Sequence, residues 1–190
     1  MPARAEATMS DSSREETATP HITTCLWFDK DAEEAANFYV KVFSDAGRPA
    51  KIGRVARFGR AAAKASGQAE GSVMTIEFEL DGNTFLGLNG GPVFKPSQAT
   101  SFIISCRTQQ AIDHFWNRLS ECGKPGRCGW IDRDKFGISW QVVPAAMGKY
   151  ACDPDPARAE RVMSAVMAMT KLDIGTLERA YNGANTESRS

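Results

Sequence analysis

The sequence predicts an α+β fold of paired βαβββ modules with added C-terminal helices. Three features carry that expectation: a helix cap, an aromatic pair and a strand-like run, each of which recurs farther along the chain. Asp31 and Thr108 stand as caps before runs of helical spacing, an offset of 77 residues. At that offset Phe38-Tyr39 falls on Phe115-Trp116, and the run 22–28 falls on 99–105. Such a repeat implies one supersecondary unit used twice. Each unit has a sheet face that one helix cannot cover. Packing two curved sheets together buries those faces and leaves a cleft between them.

The elements follow in order. Residues 22–28 are β-branched and aromatic and read as a strand. Asp31 with Glu34 three residues on has the form of a capping box. Ala32, Ala35, Ala36, Tyr39, Val42 and Phe43 recur at helical spacing, and Gly47 can stop the helix. A strand is expected over 51–58, and a solvated basic loop over 60–71. A hairpin follows from strands 73–80 and 84–89, turned by Asp81-Gly82. The second pass predicts a strand over 101–106 and a helix capped by Thr108 with Ile112, Phe115, Trp116, Leu119 and Cys122 on its apolar face. Short strands at Trp130-Ile131 and over 138–143 complete it. Asp155-Pro156 and Asp173 each begin a C-terminal helix. The Met-rich side of the first, with Met163, Met167 and Met169, reads as a face docked on the core or on a second subunit. The expected division is a disordered tail over 1–20, a first module over 21–98, a shorter second module over 99–150, helices over 151–183 and a disordered tail over 184–190.

Composition narrows the function. The chain has 190 residues and 42% are hydrophobic, which is enough for a core. Its formal net charge is +0, so no basic field exists to attract nucleic acid. No apolar run approaches the roughly 20 residues that span a bilayer. Glu6, Asp11, Glu15 and Glu16 argue against a targeting peptide at the start, where Met9 is an alternative to Met1. Five cysteines without a C-x-x-C spacing fit reduced thiols in a cytoplasmic protein.

Several motifs carry a family resemblance. Thr24-Cys25-Leu26-Trp27-Phe28-Asp29, Ala35-Ala36-Asn37-Phe38-Tyr39, Phe85-Leu86-Gly87-Leu88-Asn89-Gly90-Gly91-Pro92, Cys128-Gly129-Trp130 and Lys135-Phe136-Gly137-Ile138-Ser139-Trp140-Gln141 resemble the PhnB-like branch of the glyoxalase, or vicinal-oxygen-chelate, superfamily. So does the tail that begins at Asp153-Pro154-Asp155-Pro156, so that the resemblance spans about 22–183. The resemblance implies a cleft inside each curved sheet and a homodimer. It also brings the label 3-demethylubiquinone 3-methyltransferase. Methyl transfer from S-adenosylmethionine ordinarily uses a glycine-rich turn before a helix. Gly90-Gly91-Pro92 follows a strand, but no G-x-G-x-x-G is present.

Metal-dependent members of the superfamily place His and Glu on the inner strands. The resemblance puts Thr24, Asn89, Ser101 and Gln141 at those positions. Neutral hydroxyls and amides are poor ligands for a borderline-soft divalent ion, and Gln141 has no titratable base. No metal and no cofactor are therefore expected. His21 and His114 read as surface or packed side chains. The candidate cleft residues are Thr24, Trp27, Asn89, Ser101, Trp130, Ser139 and Gln141, with Trp140 as a further apolar wall. Asp134 reads as a turn residue, and Cys128 beside Arg127 as a possible nucleophile. The expected function is binding of a small molecule in a metal-free cleft. The alternative is an enzyme, either the labelled methyltransferase or a lyase, isomerase or dioxygenase of the superfamily's kind.

Overall fold

The run VMTIEFEL alternates apolar and polar residues, and alternation of period two buries one face of a strand. Ile76, Phe78 and Leu80 are accordingly buried on one side of Val73–Leu80, while Thr75, Glu77 and Glu79 stand on the other. The computed structural model describes residues 22–183. The expected tails over 1–20 and 184–190, the alternative start at Met9 and the reading of His21 lie outside the described residues.

The elements in chain order are β1 (Thr24–Phe28), α1 (Ala32–Asp45), β2 (Ala50–Arg57), α2 (Arg60–Ser66), β3 (Val73–Leu80), β4 (Asn83–Asn89), β5 (Phe102–Cys106), α3 (Gln109–Ser120), β6 (Lys124–Pro125), β7 (Trp130–Arg133), β8 (Trp140–Pro144), α4 (Met147–Ala151), α5 (Pro156–Met167) and α6 (Ile174–Asn182). They form two four-stranded sheets ordered β1-β4-β3-β2 and β5-β8-β7-β6. In each, the first strand pairs parallel with the last, and the other pairs are antiparallel. The two halves thus repeat one topology. Helix α1 lays its apolar face on the first sheet and α3 on the second.

The repeat is offset differently in strands and helices. Thr24 pairs with Phe85, and Phe102 pairs with Trp140, so β1 and β5 correspond at 78 residues, from 24 to 102. The helices keep 77, from 32 to 109. The extra residue lies in the β1–α1 connection. Run 22–28 therefore corresponds to 100–106, and the counterpart of Thr24 is Phe102 instead of Ser101. A one-residue change of register moves a side chain to the other face of a sheet.

Other local expectations are corrected too. Residues 60–66 form α2 where a loop was expected. The segment RAAAKAS is rich in alanine, the best helix former, and Gly67 ends it in a left-handed conformation (φ 73°). Asp31 makes no side-chain cap bond. The Ala32 N–H instead donates to Asn89 Oδ1 at 2.9 Å. Thr108, Asp155 and Asp173 do cap their helices, accepting from Ala111, Ala157 and Thr176 N–H. Asp81 and Gly82 take left-handed φ values of 54° and 80°, the geometry of a tight hairpin turn.

One core joins the halves. Tyr39 on α1 packs edge-on against Phe136 and Trp140, with centroids at 5.8 and 5.3 Å. His114 on α3 bonds the Val42 carbonyl at 2.8 Å, so it is a packed structural side chain. At the centre, Asp134 is 3% exposed. Its Oδ2 accepts from Tyr39 Oη at 2.7 Å and Trp140 Nε1 at 2.9 Å. Its Oδ1 accepts from the Phe136 and Ile138 N–H groups at 2.8 and 3.0 Å. The turn residue is also the fastener between the halves.

Helices α4, α5 and α6 gather around a second apolar cluster of Val143, Tyr150, Val162, Val166, Leu172 and Leu177. The segment before α6 docks on the second sheet through backbone bonds, Cys128 N–H to Met169 O and Gly129 N–H to Thr170 O, both 2.8 Å. The Gln109 side chain clamps it by bonding Leu172 O and Ile174 N. Leu172 is fully buried. Leu172→Ala should cost about 3 kcal/mol and loosen α4–α6. Amide hydrogen exchange should speed up in 147–182 and stay unchanged in β3 and β4.

Candidate functional site

The starts of β1 and β5 come together at the junction of the halves, where Thr24 and Phe102 line the same hollows. On the inner side lies a hollow of about 250 Å³ walled by Cys25, Trp27, Phe94, Pro96, Ile138 and Ser139, with Thr24 at its edge. It continues into a more polar lobe of about 630 Å³ that adds Asp29, Asp132 and Arg133. The lobes share Trp27, Phe94, Lys95, Pro96, Ser97 and Ser139 and are read here as one cleft.

Trp27 is the fixed wall of this cleft. Its Nε1 donates to Gly91 O at 2.8 Å. A Cβ on Gly90 would stand 2.1 Å from the Trp27 ring, so the indole occupies space that only glycine leaves free. Phe94 meets Trp27 edge-on at 4.9 Å and is 62% exposed. Ser139 is buried and donates to Asp132 O at 2.6 Å. Partial burial pushes the Cys25 thiol above its ordinary pKa.

The predicted residues separate into three groups. Thr24, Trp27 and Ser139 meet in the inner hollow. Gln141 and Trp130 belong to the second sheet, and Ser101 stands just before β5. There Gln141 Nε2 donates to Ser101 Oγ at 2.9 Å, and Gln141 pairs in register with Trp130. Neither Gln141 nor Ser101 is among the residues that line the two hollows at Thr24. Asn89 is buried, and its amide is spent on backbone, accepting from Ala32 N–H and donating to Val73 O at 3.0 Å. It closes the start of α1 and does not face the cleft. Phe94, Pro96 and Cys25 were missed. Phe94 and Pro96 lie in a connection without periodicity, and Cys25 follows Thr24 on the opposite face.

The residues present do not fit a divalent metal. Strand alternation puts Thr24 with buried Leu26 and Phe28, on the helix side. The paired positions on the inner face are Cys25 with Leu86 and Ile103 with Gln141. Two hydrocarbons, one thiol and one amide leave only two donor atoms at the four positions, too few to hold a divalent ion. Among the described residues no three His, Cys, Asp or Glu groups converge as metal ligands. Nor does the glycine turn fit an adenosyl cofactor. The Gly90 and Gly91 N–H groups bond Phe28 O and Asp29 O, at 3.0 and 3.1 Å, and the Gly90 space is filled by Trp27. Cys128 is also taken up structurally. Its Sγ lies 3.6 Å from Met167 Sδ, and Arg127 donates to Met167 O.

The model of the family described as 3-demethylubiquinone-9 3-methyltransferase matches residues 20–143, more than half of the chain. The chain belongs to this PhnB-like family. A PhnB protein from Bacillus cereus is 29% identical, covering 65% of this chain and 99% of that one at a TM-score of 0.55. A protein from Pseudomonas aeruginosa is 15% identical, covering 66% of this chain and 98% of that one at a TM-score of 0.50, a likeness of fold alone. A lactoylglutathione lyase from Agrobacterium tumefaciens is 18% identical over 66% of this chain and 93% of that one, at a TM-score of 0.32. No curated protein matches the chain. The PhnB-like match contains both sheets up to β8 and stops before α4–α6, although the tail motif had suggested a resemblance through Gly183. Among the described residues no helix is long and apolar enough to cross a membrane.

Proposed function

We propose that this PhnB-like protein binds a small molecule in the metal-free cleft at the β1–β5 junction, with a flat apolar part against Trp27 and a polar part in the outer lobe. The observation that carries this reading is the aromatic pair. Trp27 is held rigidly by Gly91 O, while Phe94 beside it stays largely exposed to water. A flat ligand would cover apolar surface that the chain alone leaves wet. Lys95 and Asp29 supply charge in the outer lobe.

The family description names demethylubiquinone and a methyl transfer. A quinone ring suits the aromatic wall, whereas the blocked glycine turn gives no support to a bound methyl donor. A thermal-shift panel of quinones, phenols and S-adenosylmethionine separates these. A ring compound at a hundred times its dissociation constant should add about 2.7 kcal/mol, a rise of roughly 5–10 °C for a chain of this size. Trp27→Ala should remove the rise. A shift with S-adenosylmethionine and with nothing else would overturn the reading.

Two coarser proposals accompany it. The inner face of the second sheet exposes Ile103, at 62%, and we read this face as a surface for a second copy. Light scattering should give twice the chain mass. All five cysteines are free, which suits a reducing, cytoplasmic setting.

A further inference from the structure

We propose a second ligand site, on the helix side of the β1–β5 seam, suited to a flat aromatic ring that carries an anionic group. Alternation points Phe85, Phe102 and Trp140 to that side, away from Cys25 and Trp27. With Phe43 they floor a hollow of about 420 Å³. Phe102 stands edge-on to Phe85 and tilted to Trp140, with centroids at 5.2 and 5.4 Å. That volume lies within the range of small-molecule pockets, about 300–1,000 Å³. Ile22 is 91% exposed at its mouth. A ring seated on the aromatic floor would cover part of the apolar surface it leaves to water. The hollow shares only Thr24 and Phe102 with the inner cleft, and these two form the partition.

Charge selects the ligand. The hollow opens into an adjoining groove through Arg48, Asp81 and Ile103. Arg48 pairs with Asp81 at 2.7 Å and donates to the Ser105 carbonyl, so those two charges cancel. Arg107 also lines the groove and is exposed. It takes part in none of the ion pairs among the described residues. One positive charge is therefore left over beside an aromatic-floored hollow. A carboxylate, sulfonate or phosphate joined to a ring satisfies both at once.

The test uses two fluorescent probes, anionic 8-anilinonaphthalene-1-sulfonate and neutral N-phenyl-1-naphthylamine, titrated against the folded full chain. Both should bind saturably and quench tryptophan emission, because Trp140 lies in the floor. Arg107→Ala should weaken the anionic probe about fivefold and leave the neutral probe unchanged. Asn83→Trp, on the same side of β4 as Phe85, fills the hollow and should abolish the binding of both in a Trp27→Ala background that silences the inner cleft. Arg107→Ala within twofold of the wild type for the anionic probe overturns the proposal. So does a folded Asn83→Trp variant that binds both probes normally in that background. If Asn83→Trp loses its cooperative melt, Arg107→Ala decides alone.

Discussion

Asp134→Ala should be the most destabilising single substitution proposed, lowering stability by about 4 kcal/mol and the melting temperature by roughly 10 °C. The carboxylate accepts four bonds inside the core. Alanine would leave a phenol, an indole and two backbone N–H groups without a partner. Asp134→Asn should cost less, about 2 kcal/mol. An amide oxygen can still serve the two backbone donors. The amide nitrogen can donate to Tyr39 Oη, but Trp140 Nε1 can only donate and would be orphaned. Chemical denaturation measures both values. An alanine variant within about 1 kcal/mol of the wild type would show that water or repacking replaces the carboxylate.

The same group has a signature in pH. Burial pushes the Asp134 carboxyl above its ordinary 3.8, against the pull of its donors. As pH rises, the unfolded chain releases this proton first. The native state then holds more protons than the unfolded state between 3.8 and the raised value. Stability from this group is therefore lost as pH rises through that window and stays constant above it. Glu77, Asp113, Asp153 and Asp173 are held low by hydrogen-bonding side chains and act in the opposite sense. The difference between wild type and Asp134→Asn isolates the one slope. A difference independent of pH below neutrality would contradict it.

Gly90→Ala should have the largest effect on the inner cleft. The new methyl group would overlap the Trp27 ring at 2.1–2.4 Å, and no side-chain rotamer relieves a Cβ. The indole has to swing away, lose its bond to Gly91 O and open its contact with Phe94. A cost of about 2 kcal/mol is expected for overpacking, with at least about a tenfold loss of affinity for whichever ring compound stabilises the wild type. Nuclear magnetic resonance offers a readout that needs no ligand, because the Trp27 indole N–H should shift while those of Trp116, Trp130 and Trp140 stay. An unmoved Trp27 signal would show that the backbone gives way instead.

Local chemistry made much of the fold legible. Strand β3 stands where alternation put it, and the caps at Thr108, Asp155 and Asp173 are real because each serves N–H groups within three residues. The candidate site was less legible. Asn89, Ser101 and Gln141 looked like a polar lining because they are neutral hydrogen-bonding groups on strands. The structure spends Asn89 on the start of α1, and Ser101 and Gln141 on each other. Asp134 looked like an ordinary turn residue. Its bond to Tyr39, 95 positions away, has no trace in local sequence.

By itself the sequence determined the doubled βαβββ design, most of the helices and strands that build it, and the neutral character of the inner positions, because periodicity, caps and residue type are properties of short stretches. The tertiary structure alone decided which side of each sheet a residue faces across the extra residue before α1. It also decided which polar groups are consumed by backbone and where Trp27, Phe94 and Ser139 converge. The physical reason is that a one-residue change of register reverses a side chain, and a buried polar group takes whatever partner the far half of the chain brings to it.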